Sequence, residues 1–345
     1  MAHATLAQVV KDLNKAYGDG TVVRADEIDR DMVPRITSGS LGLDLVLGGG
    51  WPCNQAVEII GESSHGKTFV ALKTIAANQD ADPEFLAVWV AAEEWVPQYA
   101  LMCGVDLSRV IVVETNVMEA AYNAALGFCE TREVDLVVID SLPALVPAPE
   151  DERDMELSTV GRGAMTTNKF FRKVGKSLKR SLVEEERPVL LIVINQYRQK
   201  IGVMYGSDKT SPGGQGKEYA YFVKVEVKRD SWIEVGPEKA KKKVGQGIRV
   251  RTTKNKTAPP MQTAYMDMYF ADGGDGIPGD YDFGKELVAI AIVTGVLERK
   301  GAWYYFQDQK WNGTSAVIAA VREDIDLKDA LEIEVRSQPM IGSPS

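Results

Sequence analysis

Residues 61–68 read Gly61-Glu62-Ser63-Ser64-His65-Gly66-Lys67-Thr68, a G-x-x-x-x-G-K-[ST] spacing that follows the β-type run Val57–Ile60 and precedes a helical stretch. The spacing specifies a chemistry. Gly61 and Gly66 let the backbone curl until its N–H groups converge on phosphate oxygens. Lys67 adds a point charge for the β- and γ-phosphates, and the Thr68 hydroxyl is placed to ligate Mg²⁺. Glu62, Ser63, Ser64 and Phe69 complete the expected ATP-binding segment. His65 either fills a variable loop position or, when protonated, adds a phosphate contact.

A second acid is needed for the metal and a third group for water. Within Val134–Ser141 the apolar run Leu136–Ile139 is followed by Asp140, and an acid at a strand's C-terminal edge lies beside a phosphate loop, where it can hold Mg²⁺ directly or through water. Glu93 follows the run Leu86–Ala91 and is the candidate base for the attacking water, with its neighbour Glu94 as the competitor. Gln196 follows Val189–Ile194 after Asn195, where a side-chain amide can feel a γ-phosphate and pass the signal to the segment behind it.

That segment, 197–217, is rich in glycine and carries Arg198, Lys200, Lys209 and Lys217 against the single acid Asp208. Loops of this length in compact domains are functional or disordered. Bases interleaved with Ile201, Val203, Met204 and Tyr205 suit unpaired nucleic acid, with charge for phosphates and apolar groups for base steps. The run 169–180 adds Lys169, Arg172, Lys173, Lys176, Lys179 and Arg180 without an acid. A net charge of −9 argues against a uniformly basic nucleic-acid binder but leaves room for such local patches.

The elements that must position these residues alternate. The runs 57–60, 86–91, 110–113, 136–139 and 189–194 are nearly continuously apolar, as in a parallel sheet covered on both faces. Helices are expected at 67–78, 118–131 and 160–183. From 221 the texture turns to alternation (221–229, 248–254, 263–270), which suits an antiparallel extension of the sheet. Residues 6, 9, 10, 13 and 17 form one apolar face of an N-terminal helix that Gly18 closes; it packs either on its own core or on another copy of the chain. The expected division is an N-terminal helix and linker (1–34), to which the resemblance described below assigns oligomerisation, an ATPase and DNA-binding core (35–270), a small α/β C-terminal domain (271–335) and a disordered tail (336–345).

Composition narrows the class. The only histidines, His3 and His65, leave no room for a histidine-rich metal site or a histidine-based triad, and Cys53, Cys103 and Cys129 read as reduced core residues. No apolar run is long enough to cross a bilayer and no signal-peptide pattern opens the chain, so the expected location is cytoplasmic, with no membrane partner.

Beyond these local readings, the chain resembles the bacterial RecA recombinases over nearly its whole length. The resemblance is carried by Thr37–Asp44 before the phosphate loop, by Ile194–Gly206, by Lys254-Asn255-Lys256 and by Lys300–Tyr304. It implies a RecA-like α/β P-loop ATPase that forms helical filaments on single-stranded DNA and then pairs them with homologous double-stranded DNA. It also implies that the N-terminal helix docks on the next protomer, that Lys254 and Lys256 reach a neighbour's ATP, and that Tyr99 stacks on adenine. Gly213 and Gly214 would lie on the DNA backbone, with Arg172, Arg198 and Lys200 on phosphates. The chain departs from the family in its phosphate loop (Gly-Pro-Glu-Ser-Ser-Gly-Lys-Thr in the bacterial pattern), in a shorter segment after Glu93, in Glu218 where a lysine is usual, and in lacking a long acidic tail. Two other readings of the ATPase core stay open at this level: a ring-forming helicase or motor, and a non-hydrolysing recombination mediator.

Overall fold

The computed structural model describes residues 4–18, 21–24, 33–148, 161–178, 187–199, 209–210 and 216–338. The apolar runs become strands β1 (Gln55–Gly61), β2 (Ala87–Ala91), β3 (Val110–Glu114), β4 (Leu136–Asp140) and β5 (Leu190–Gln196). They are followed by β6 (Val223–Val235), β7 (Lys242–Asn255) and β8 (Thr263–Tyr269). All eight join one sheet in the order β8-β7-β6-β1-β5-β4-β2-β3. From β6 to β3 every neighbouring pair is parallel, whereas β7 and β8 are antiparallel additions. This is the expected parallel sheet with an antiparallel extension.

Register follows burial. Val57, Ile59, Trp89, Val138, Ile192 and Val225 point into one apolar cluster, while Val88, Val90, Val137, Ile139, Leu191 and Val193 point into a second on the opposite face. A strand covered on both sides has no polar face to show, which is why the runs read as continuous. Each fully buried valine or isoleucine contributes roughly 1.5–3 kcal/mol, so a slip of one residue along any of these strands is strongly opposed.

The helices are α1 (Leu6–Tyr17), α2 (Leu41–Leu47), α3 (Lys67–Ala81), α4 (Pro97–Met102), α5 (Met118–Thr131), α6 (Arg162–Ser177), α7 (Gly216–Ala220), α8 (Phe283–Thr294), α9 (Thr314–Glu323) and α10 (Ile325–Ser337). Helix α3 is buried nearly all round, and its buried polar side chains are all engaged. Thr74 Oγ1 accepts from Trp51 Nε1 at 3.0 Å, Asn78 Nδ2 donates to the Thr37 carbonyl at 2.8 Å, and Gln79 Nε2 donates to the Asp106 carbonyl at 3.1 Å. These bonds fix the helix whose N-terminus carries the phosphate loop. The helix expected at 160–183 is α6, ending at Ser177; residues 179–183 lie outside the described residues.

The C-terminal part has its own apolar cluster, formed by Leu287, Val288 and Ala291 of α8, Val317 and Val321 of α9, and Leu327, Leu331 and Val335 of α10. A three-stranded antiparallel sheet, β9 (Glu298–Lys300), β10 (Trp303–Phe306) and β11 (Gln309–Asn312), completes it. Helix α10 runs through Arg336 and Ser337, into the segment read as tail from the sequence. Val335 is buried, and Arg336 pairs with Glu332 one turn earlier at 2.7 Å, which carries the helix past the expected boundary. Residues 339–345 lie outside the described residues.

Candidate nucleotide site and its surroundings

The phosphate loop joins β1 to α3. At Gly61 a Cβ would meet the Val227 carbonyl oxygen at 2.2 Å, so only glycine lets β6 pass this close. Gly66 sits at φ +94°, in the left-handed region that glycine occupies without strain, and turns the chain into α3. Lys67 is buried at the first turn of α3, with Nζ donating to the Glu62 carbonyl at 2.7 Å. Burial lowers its pKa, opposed by the charges of Asp140 and Glu93. The ammonium is thus pre-placed where the helix N-terminus also favours an anion.

Four strand ends converge here. Thr68 Oγ1 donates to Asp140 Oδ2 at 3.1 Å. Burial, reinforced by the Glu93 charge, pushes the Asp140 carboxyl up to about 6. A hydroxyl and a destabilised carboxylate side by side are a fitting pair of oxygen donors for Mg²⁺, which takes few protein ligands and completes its octahedron with water and phosphate. Among the described residues no group of three or more His, Cys, Asp or Glu could hold a metal by itself. Glu93 Oε1 accepts from Ser141 Oγ and, at 3.4 Å, from Gln196 Nε2. Glu94 is exposed and makes no hydrogen bond or ion pair among the described residues.

Ser63, Ser64, Gly66, Lys67, Thr68, Phe69, Glu93, Tyr99, Asp140 and Gln196 all border one cleft of about 450 Å³. His65 and Glu62 lie beside it, 3.9 Å apart. Trp232, Gln246, Met268 and Phe270 also line the cleft and were not anticipated. Gln246 Nε2 and Arg229 Nη2 both donate to the Ser64 carbonyl, at 3.3 and 3.2 Å, so β6 and β7 hold the loop's shape. One trace of this exists in the sequence. Val244, Ile248, Val250 and Thr252 alternate on a buried face, and Gln246 interrupts it with an amide that must find partners.

Lys254 and Lys256 lie elsewhere. Lys254 Nζ donates to the Glu218 carbonyl at 2.6 Å, and Lys256 Nζ lies 5.2 Å from the centre of the Phe222 ring. Burial lowers the Lys254 pKa, and Lys256 and Lys224 add to the effect. Beneath Lys254 is a polar cluster the sequence did not reveal. Lys217 and Glu58, both 0 % exposed, are 3.1 Å apart; Lys224 contacts Glu58 at 3.0 Å; Asn195 Nδ2 donates to Glu58 at 2.8 Å. Burial would raise Glu218, but hydrogen bonds from Lys224 and Lys217 outweigh it and hold the carboxyl at about 2.

For the expected nucleic-acid segment, Arg198–Gln199 pairs antiparallel with Lys209–Thr210. Lys200, Ile201, Val203, Tyr205, Gly213 and Gly214 lie outside the described residues. Arg172 is exposed on α6 with Lys169, Lys173 and Lys176. Cys53, Cys103 and Cys129 are free and buried. Among the described residues no helix is long and apolar enough to cross a membrane.

A parallel sheet with a phosphate loop after its first strand, an acid at the end of β4 and a carboxylate–amide pair across the cleft defines a P-loop nucleotide-binding protein of the RecA-like class. A family model described as the RecA N-terminal domain matches residues 4–275. Protein RecA of Trichodesmium erythraeum (strain IMS101) is 34% identical over 340 residues, covering 98% of this chain and 89% of its own length. Protein RecA of Lactococcus lactis subsp. cremoris (strain MG1363) is 33% identical over 335 residues, covering 96% and 83%. A crystal structure of the RadB recombinase aligns over 69% of this chain and 96% of its own, at 16% identity and a TM-score of 0.49. The chain belongs to the RecA family and is a recombinase of the bacterial RecA type.

Proposed function

We propose that the chain is a DNA-dependent ATPase that assembles as a helical filament on single-stranded DNA and catalyses homologous pairing and strand exchange with double-stranded DNA. The observation that supports this best is the position of Gln196. It touches Glu93 in the nucleotide cleft, and the backbone leaves it directly into the basic segment 197–217. One residue thereby links triphosphate to DNA grip.

In this reading Lys67 binds the β- and γ-phosphates and Tyr99 stacks on adenine. Thr68 and Asp140 would hold Mg²⁺, which would supply neutralisation of phosphate charge. Glu93 accepts a proton from the water that attacks the γ-phosphorus, and ADP leaves with the bridging oxygen. Gln196 reports the presence of the γ-phosphate. Lys254 and Lys256, remote from their own cleft, act on the ATP of the adjoining protomer, so hydrolysis requires assembly. Arg172, Arg198 and Lys200 contact phosphates, Ile201, Val203 and Tyr205 contact bases, and Gly213 and Gly214 admit the backbone. Sequence specificity comes from base pairing between strands.

The deciding measurement is phosphate release with and without single-stranded DNA, together with negative-stain imaging. A severalfold rise in turnover on DNA and continuous filaments are expected. Equal turnover in both conditions sinks the reading, closed rings favour a motor, and absent hydrolysis favours a mediator.

A further inference from the structure

Ser141 follows the metal-site acid at the end of β4 and is fully buried. Its Oγ donates to Glu93 Oε1, the oxygen that Gln196 Nε2 also approaches at 3.4 Å. Main-chain bonds fasten the two strand ends together, since Ala92 N and Glu93 N both donate to the Asp140 carbonyl, at 2.8 and 3.1 Å. Glu93 Oε2 receives no hydrogen bond among the described residues. One carboxylate oxygen is therefore anchored twice and the other is left to face the cleft.

The two anchors are unequal. Gln196 is half-buried, its bond is long, and its amide is the group that would turn toward a γ-phosphate. Ser141 is fully buried, and its hydroxyl bond to Glu93 is the shorter of the two. We propose that Ser141 is a positioning residue for Glu93: it retains Oε1 when Gln196 departs and so keeps Oε2 aimed at the attacking water during turnover. A general base works only when its lone pair is held on the proton it removes, and misplacement by about an ångström costs on the order of a hundredfold. The exposed position of Glu93 makes such an anchor necessary, because nothing else described fixes its rotamer once Gln196 has moved.

The inference rests on Glu93 being the base, so both assignments are tested in the full chain on single-stranded DNA. Ser141→Ala is expected to lower kcat by about 10–100-fold, while the affinity for a fluorescent, non-hydrolysable ATP analogue stays within about twofold of wild type. Ser141→Cys keeps a weak donor of similar size and should fall between the two; it also serves if the alanine variant fails to fold. In a Glu93→Gln background, Ser141→Ala should change nothing further, because the group it positions is gone. Wild-type turnover in Ser141→Ala overturns the proposal. So does a rate loss matched by an equal loss of nucleotide affinity, or an undiminished effect in the Glu93→Gln background. Wild-type turnover in Glu93→Gln itself overturns the base assignment instead, which separates the two failures.

Discussion

Glu93 and Glu94 are adjacent carboxylates at the end of one strand, and only their surroundings tell them apart. Glu93 is bonded by Ser141 and Gln196, while Glu94 is exposed and has no hydrogen bond or ion pair among the described residues. Glu93→Gln should therefore bind ATP and assemble on DNA but hydrolyse at least about a hundredfold more slowly, in the usual range for loss of a general base. Glu94→Gln should stay near wild type. Phosphate release from both variants checks this, and the reverse ranking would move the role to Glu94. Lys67→Ala should lose nucleotide-dependent assembly altogether, since the ammonium tethered to the Glu62 carbonyl has no substitute within the loop. Normal strand exchange by that variant would remove Lys67 from the mechanism.

Helix α7 is short, yet it closes the basic segment and inserts Lys217 beneath the sheet beside Glu58. Two fully buried opposite charges are costly to remove from water, and their mutual attraction holds only while both are present. Lys217→Met should lower stability by about 3 kcal/mol, read as a shift of the urea midpoint. Changing Glu58 to Gln in the same chain should recover part of that loss, because it removes a buried carboxylate left with Lys224 as its one remaining cation. A neutral single variant would mean that Lys224 and Asn195 satisfy Glu58 alone. The neighbouring contact of Lys254 with the Glu218 carbonyl ties a residue expected to act across protomers to the exit of the basic segment.

At the scale of the whole molecule, two features stand out. Helix α1 begins at an N-cap formed by Thr5 and ends at Gly18, but none of its residues is buried. Leu6, Val9, Leu13 and Tyr17 are 82, 42, 37 and 74 % exposed, a stripe that needs another surface. Leu13→Asp should abolish filaments on DNA, as seen by electron microscopy, while leaving thermal unfolding within about 0.5 kcal/mol of wild type. The second feature is the joint between core and C-terminal part. Glu286 accepts from Ser40 Oγ at 2.6 Å and from Leu41 N at 3.1 Å, and burial pushes its carboxyl up to about 7. Its ordinary value of 4.5 applies when unfolded. Between these values the folded chain binds the extra proton, so its contribution to stability is full at low pH and is lost as pH rises toward 7. Glu286→Gln, neutral throughout, should remove roughly 2–3 kcal/mol of the fall in stability between about pH 5 and pH 8. Urea titrations at both pH values check it, and an unchanged difference would place the titration elsewhere.

Local pattern determined a great deal. The five apolar runs, the alternating strands after 221, the Gly61–Thr68 loop and the acidic strand ends at Asp140 and at the Glu93–Glu94 pair could all be read because strand burial and tight glycine turns impose short-range spacings on the chain. Only the tertiary structure decided which distant groups meet. Arg229 and Gln246 on the loop carbonyl of Ser64, Ser141 on Glu93, and the Glu58–Lys217–Lys224 cluster are brought together by strand order. Hydrogen bonds and ion pairs depend on separation in space, and β1 lies beside β5 and β6 in the sheet while standing far from both along the chain.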